Sequence, residues 1–311
     1  MFASDVVRIY LFIAGGILLF AGSAIAILKW GLKKNADHAW HSFRGWLIMI
    51  PLVVGAILLG RVATIVFLAL IALAGFTEFA RATGLYRDWL YTGLVYAGIA
   101  GLAVVTLVSP PDVPSQLGWY GLFMALPVYV VAGILLAPIL RDRTKGQLQW
   151  VALAMLGFIY IGWMFGHLAF LANGRNAAGS ILFLLFAVPL CDVAAFTFGK
   201  IFGRHKLRPN VSPNKTWEGS LGALAAGMAL PWIFRFSLEG FGTRELILAG
   251  LIVGIGSQLG DLSISVIKRD IGIKDMGSLI EGHGGVLDRI DSLIYVAPLF
   301  FHMSRFFVGL E

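Results

Sequence analysis

The chain has 311 residues, 59% of them hydrophobic and only 13% charged, with a formal net charge of +7 and a mean hydropathy of +0.85. A soluble domain carries about 25% charged residues, so a large water-soluble unit is excluded, and the basic excess falls in short loops rather than on a face that could take nucleic acid. Cys191 is the single cysteine, which rules out an internal disulfide and a cysteine metal site.

Long apolar runs fill the chain. In lipid only helices and closed barrels satisfy their backbone polar groups, and these runs are far too long for barrel strands. The expected fold class is therefore all-α: a polytopic integral membrane protein of about ten transmembrane helices. The spans fall near 8–28, 45–60, 62–82, 89–108, 117–140, 148–172, 179–199, 218–236, 245–266 and 288–309. The first, Tyr10–Leu28, exceeds a signal-peptide core of roughly 7–15 residues, and basic residues follow rather than precede it, so it reads as a retained span. Gly60-Arg61 is almost all that separates the short second span from the third, which predicts either a tight hairpin or one tilted or partly buried span.

Alternate loops, near 29–44, 81–87, 141–145, 200–215 and 268–289, carry most of the 24 lysines and arginines. The positive-inside rule puts those loops in the cytoplasm and both termini outside. Between the first two spans, Asp37, His38 and His41 suggest a metal, but Asp37 would point away from the face that the histidines share. An interfacial helix anchored by Trp30, Trp40 and Trp46 suits that segment better. Residues 109–114 read as an outside turn. No internal repeat supports a repeat-built transporter.

The composition shifts near residue 175. Residues 1–175 read as a scaffold of membrane helices with lipid or dimer contacts. Residues 176–311 read as the catalytic region, with polar loops 200–217 and 268–287. Asp192 and Asp261 lie at span depth, where a carboxylate costs roughly 2.5–3.5 kcal/mol to insert and a functional role is the default. The plainer reading is an ion pair that holds two helices together. Asp192 precedes Lys200 by two helical turns, and Asp261 precedes Ser265 by one and Lys268 by two, so each acid shares a face with the loop that follows it.

The loop after Asp192 runs Gly199-Lys200-Ile201-Phe202-Gly203 and on to Ser212-Pro213-Asn214-Lys215-Thr216-Trp217-Glu218-Gly219. From a tight turn, Ser212, Asn214, Lys215 and Thr216 would present hydroxyls, an amide and an ammonium to a nucleotide triphosphate. Thr216 could equally cap the next helix, and the two roles are compatible because a helix N-terminus attracts phosphate. The loop after Asp261 runs Ser265-Val266-Ile267-Lys268-Arg269, then Lys274-Asp275, then His283-Gly284-Gly285-Val286-Leu287-Asp288-Arg289-Ile290-Asp291. Lys268, Arg269, Lys274 and Arg289, with Lys200, are candidate phosphate contacts. Asp275, Asp288 and Asp291 offer the hard oxygens that Mg²⁺ prefers. Gly284 and Gly285 let the backbone approach an anion. A loop that only fixed orientation would gain little from the interleaved carboxylates. P-loop, zincin and serine-hydrolase motifs are absent.

The motifs S-x-x-K-R, K-D and H-G-G-x-x-D-R-x-D, together with G-K-x-F-G and S-P-x-K-T-x-E-G, resemble the phosphatidate cytidylyltransferase (CDP-diacylglycerol synthase) family over about residues 185–295. One position departs: Glu281 stands where the family usually has Pro or Gly. The resemblance implies that CTP and phosphatidic acid give CDP-diacylglycerol and pyrophosphate for phospholipid synthesis. It implies that Asp261 and Asp288 hold Mg²⁺, with Asp192 and Asp291 as further ligands or supports and room for a second cation such as K⁺. His283 would position phosphate. The partners expected are CTP, a lipid phosphate, the bilayer and, as an open case, a second copy of the chain. The expected location is a bacterial inner membrane with the site facing the cytoplasm. Two rivals stand beside this reading: a cytidylyltransferase for another lipid phosphate, and an anion transporter using Asp192 and Asp261 as coupling-ion sites.

Overall fold

A buried backbone N–H or C=O without a partner costs several kcal/mol in lipid, so each apolar run closes its hydrogen bonds within itself. The computed structural model describes residues 5–27, 29, 37–109, 119–277 and 284–308. Its helices are α1 (Asp5–Ala26), α2 (Asp37–Leu58), α3 (Arg61–Ala82), α4 (Trp89–Val108), α5 (Trp119–Leu140), α6 (Gln147–Leu156), α7 (Phe165–Phe170), α8 (Ala177–Phe202), α9 (Trp217–Ile233), α10 (Thr243–Asp270) and α11 (Leu287–Phe307). α6 and α7 belong to one rod, Gln147–Asn173, joined by a π-helical stretch at Gly157–Met164.

Seven of these are long and apolar enough to cross a membrane: α1, α3, α4, α5, the Gln147–Asn173 rod, α8 and α10. The other three expected spans are helices of a different kind. The apolar part of α2 is only Phe43–Leu58. α9 has 17 residues, a rise of about 26 Å against a hydrocarbon core of roughly 30 Å. α11 begins with Asp288, Arg289 and Asp291. The protein is thus an all-α polytopic membrane protein whose crossing helices number between seven and ten.

Two boundaries differ from the hydropathy reading, each for a local reason. α10 does not stop near 266 but continues to Asp270, with Lys268 and Arg269 in its last turn, where positive charge suits the negative end of the helix dipole. Ser212–Thr216 is not a tight turn but strand β2, paired antiparallel with β1 (Lys206–Arg208). The turn lies at Pro209-Asn210, closed by Val211 N–H on the Arg208 carbonyl at 3.1 Å. Expectations at 110–114, Glu281 and His283 lie outside the described residues, as do those for the side chains of Asp37, His38 and His41.

α8 and α10 pack against each other and against both α9 and α11. Gly260 lets α10 approach α11 closely: a side chain there would meet the backbone of Asp291 and Ser292. Phe76 of α3, Phe158 of the rod, Phe183 of α8 and Phe300 and Phe301 of α11 are fully buried in one continuous core. The core therefore crosses the boundary near residue 175. At the start of α3, Arg61 donates to Asn173 Oδ1 at 2.6 Å and to the carbonyls of Thr106 and Leu107 at 2.9 Å each. These bonds fix the end of α3 remote from Glu78.

Candidate active site

The site grows from one face of α10. Ser265 Oγ donates to Asp261 Oδ1 at 3.2 Å, one turn apart. Lys215 reaches over from β2, its Nζ 2.6 Å from Asp261 Oδ2. One turn beyond Ser265, Lys268 Nζ lies 2.8 Å from Asp288 Oδ1 at the start of α11. The other oxygen of Asp288 accepts the N–H of Met276 at 2.9 Å and of Gly285 at 3.0 Å. One carboxylate thus ties the end of α10, the segment after it and the first turn of α11 together. Gly284 turns the chain into this clamp with φ +80°, a conformation that costs glycine little.

Loops 200–217 and 268–287 meet here. Arg269 Nε donates to the Val211 carbonyl in the hairpin at 3.2 Å, and its Nη1 to the Ile273 carbonyl at 3.1 Å. Deeper along the helices, Ser292 links two acids. Its N–H donates to Asp291 Oδ1 at 2.7 Å, and its hydroxyl to Asp192 Oδ2 at 3.4 Å. Asp192, Asp261 and Asp291 lie within electrostatic reach of each other, with Lys215 and Arg289 acting on Asp192 and Lys268 on Asp291. Three acids beside four cations, at helix ends in a protein this apolar, form a charged cluster that suits polyanions and a divalent cation.

The remaining expected residues that the structure describes differ in exposure. Asn214, Lys274, Asp275 and Arg289 are exposed, and Ser212 is half-buried. Thr216 is buried and accepts the Gly219 N–H at 3.1 Å, so it caps α9. Lys200 lies over the Phe196 ring at 5.8 Å. It is an exposed cation near the site, with no ion pair to Asp192 among those of the described residues. Gly285 is buried against the far side of the clamp.

One residue of the site was missed. Glu78 of α3 accepts the N–H groups of Val286 and Leu287 at 2.9 Å each. A side chain at Gly285 or Gly277 would collide with its carboxylate. The first N–H groups of a helix have no partner within it, and here a helix more than 200 residues earlier supplies one. A lone glutamate in an apolar span was the available signal.

Among the described residues no three His, Cys, Asp or Glu side chains stand together as a ready metal cage. Mg²⁺ does not require one, since it keeps several waters and takes one or two carboxylates plus substrate phosphates. The hard oxygens of Asp192, Asp261 and Asp291, mutually repelling and partly offset by lysine, fit such an ion. Asp288 has both oxygens engaged by three donors.

Serial membrane helices that bring acids, lysines and arginines together at one end define an integral membrane enzyme built for anionic substrates. Comparison with known proteins narrows the class. The chain belongs to the cytidylyltransferase family, whose model matches residues 42–307. Similar proteins include the uncharacterized protein YnbB of Escherichia coli (strain K12), 34% identical over 79% of this chain and 80% of its own length. The phosphatidate cytidylyltransferase of Staphylococcus haemolyticus is 30% identical over 76% of this chain and 94% of its own. That of Staphylococcus aureus (strain COL) is 30% identical over 81% and 92%. The family makes this protein a nucleotidyltransferase.

Proposed function

We propose that the protein is a Mg²⁺-dependent CTP:phosphatidate cytidylyltransferase of a bacterial inner membrane, with its site open to the cytoplasm. A phosphate oxygen of phosphatidic acid attacks the α-phosphorus of CTP. The new P–O bond gives CDP-diacylglycerol, and the bond to the β-phosphate breaks to release pyrophosphate. The nucleophile is already an anion at neutral pH, so the protein needs no strong base and works by positioning and charge stabilisation.

The observation that carries this reading is the pair of lysine–aspartate bridges, Lys215–Asp261 and Lys268–Asp288, contributed by two distant loops. Each lysine can exchange its carboxylate for a phosphate oxygen, which turns a resting ion pair into a substrate contact. Asp261, with support from Asp192, Asp291 and Asp288, would hold Mg²⁺, which would supply charge neutralisation between the two polyanions; a second cation such as K⁺ would serve the same end. Arg269, Lys274, Arg289 and Lys200 draw phosphate to the rim, where Ser212 and Asn214 orient it; His283 takes the phosphate-positioning role that the sequence motif implies. Gly284, half-buried with φ +80°, keeps the backbone within reach of phosphate, whereas buried Gly285 gives its N–H to Asp288. Phosphatidic acid keeps its acyl chains in the bilayer.

The test is purified protein with radiolabelled CTP, Mg²⁺ and a panel of lipid phosphates. A CDP-lipid formed from phosphatidic acid is the expected product. A product formed only from an isoprenoid phosphate would overturn the substrate assignment, and ion flux without any CDP-lipid would overturn the reaction.

A further inference from the structure

A second charged cleft lies away from the acids, between the start of α4 and the turn that joins α5 to α6. It encloses about 350 Å³ and is lined by Arg87, Asp88, Trp89, Arg141 and Arg143. Its membrane face is set by α3: Glu78 contacts the site from the last turns of that helix, and Arg87 follows a few residues later. The cleft therefore opens on the same face of the membrane as the site. Its frame is fixed. Arg141 Nη1 donates to both oxygens of Asp88, at 2.8 and 2.6 Å, and Asp88 caps α4 by accepting the Leu90 N–H at 3.1 Å.

That bridge consumes the one acid lining the cleft. Arg87 and Arg143 are exposed and take part in no ion pair among those of the described residues. Arg87 and Arg143 thus line the cleft outside any ion pair of the described residues, with exposed Asp142 next to Arg143 in the chain, and guanidinium matches the geometry of phosphate oxygens. Apolar side chains beside these elements form the border: Trp89 of the lining is 62% exposed, and Leu140 and Leu148, at the ends of α5 and α6 that flank the turn, are 73% and 84% exposed. A soluble anion would gain nothing from that border. An acyl chain would lie along it while its phosphate entered the cleft, as basic pockets between membrane helices do with anionic headgroups.

We propose that this cleft binds the phosphate headgroup of an anionic phospholipid, at a site separate from the one that carries the reaction. Arg87 and Arg143 contact the phosphate, Arg141 is held in place by Asp88 as the wall, and Trp89 marks the headgroup level. The assignment does not depend on which lipid the enzyme transforms.

The test uses wild-type protein in phosphatidylcholine nanodiscs. Arginine labelling by phenylglyoxal is read peptide by peptide in the mass spectrometer, with phosphatidylglycerol added in one arm and inorganic phosphate in another. Phosphatidylglycerol is expected to protect Arg87 and Arg143 while phosphate at the same concentration does not. Equal protection by inorganic phosphate, or none by the lipid, would overturn the proposal. In native mass spectrometry, R87Q/R143Q should retain phosphatidylglycerol at least about 10-fold less well than wild type, with phosphatidylcholine retention unchanged. Retention equal to wild type would likewise overturn it. Because the labelling arms need no variant, a folding defect in the double mutant leaves the test intact.

Discussion

Lys268 Nζ stands 2.8 Å from Asp288 Oδ1, with 11% of one side chain and 4% of the other exposed. A buried pair of this kind is worth little over an apolar replacement, but losing one partner strands the other charge and costs about 3–5 kcal/mol. K268M should therefore lower the thermal unfolding midpoint in detergent strongly, and K268M/D288N should recover part of that loss while staying inactive. A single variant as stable as wild type would mean that Asp288 finds its stabilisation elsewhere.

Asp261 and Asp288 were both expected to hold metal, and their surroundings now separate them. Asp261 meets one lysine and one serine, whereas Asp288 also holds two backbone N–H groups. D261N and D288N should each reduce cytidylyl transfer by at least about 100-fold, if charge stabilisation through these acids supplies several kcal/mol. Only D288N should also raise amide hydrogen exchange around Met276 and Gly285. Near-normal turnover of D261N would remove it from the ligand set.

The long spans were legible because lipid forces helices and hydropathy reports them directly. The α10 face was legible too: Asp261, Ser265 and Lys268 follow helical spacing, and Ser265 does bond Asp261. Spacing could not tell that Asp288 faces Lys268, 20 residues away across the loop. Nor could it show that Ser212–Thr216 pairs as a strand, since register depends on Lys206–Arg208 opposite. The sequence marks Glu78 as a lone acid in an apolar span, but hydropathy could not name its partners, the Val286 and Leu287 amides.

Glu78 offers a test of how far the first half of the chain shapes the site. E78A removes both acceptors for Val286 and Leu287 and should destabilise the start of α11 by about 1–2 kcal/mol, the scale of a lost cap. E78Q keeps one carbonyl acceptor and should retain more activity than E78A. The expected signature is a lower kcat and faster exchange at 284–288, with the rest of the protein unchanged. If E78A shows wild-type exchange there, the cap is dispensable.

Asp88 sets a pH dependence outside the membrane spans. Partial burial alone would raise its carboxyl; the hydrogen bonds and charge of Arg141, with the Leu90 and Tyr91 amides, outweigh that and hold it below the usual range. A depressed carboxyl stabilises the fold above its unfolded value of about 3.9, and the contribution is lost as pH falls through the folded value. The stability difference between wild type and D88N, on the order of 1 kcal/mol near neutrality, should therefore shrink once pH falls below the unfolded carboxyl value and be lost below the folded one. A difference that stays constant over that range would show that Asp88 does not titrate with folding.

The meeting of the two polar loops can be checked without any enzymatic assay. Arg269 reaches the hairpin through Val211, so Asn210 and Lys274, both exposed, belong on one side of the membrane. Cys191 is fully buried and should resist an impermeant thiol reagent, which leaves wild type as the blank. N210C and K274C should both be labelled from the same side in sealed inside-out vesicles, and both be shielded in right-side-out ones. Labelling of the two from opposite sides would separate Lys215 from Lys268, and with them the lysine–aspartate bridges on which the shared pocket rests.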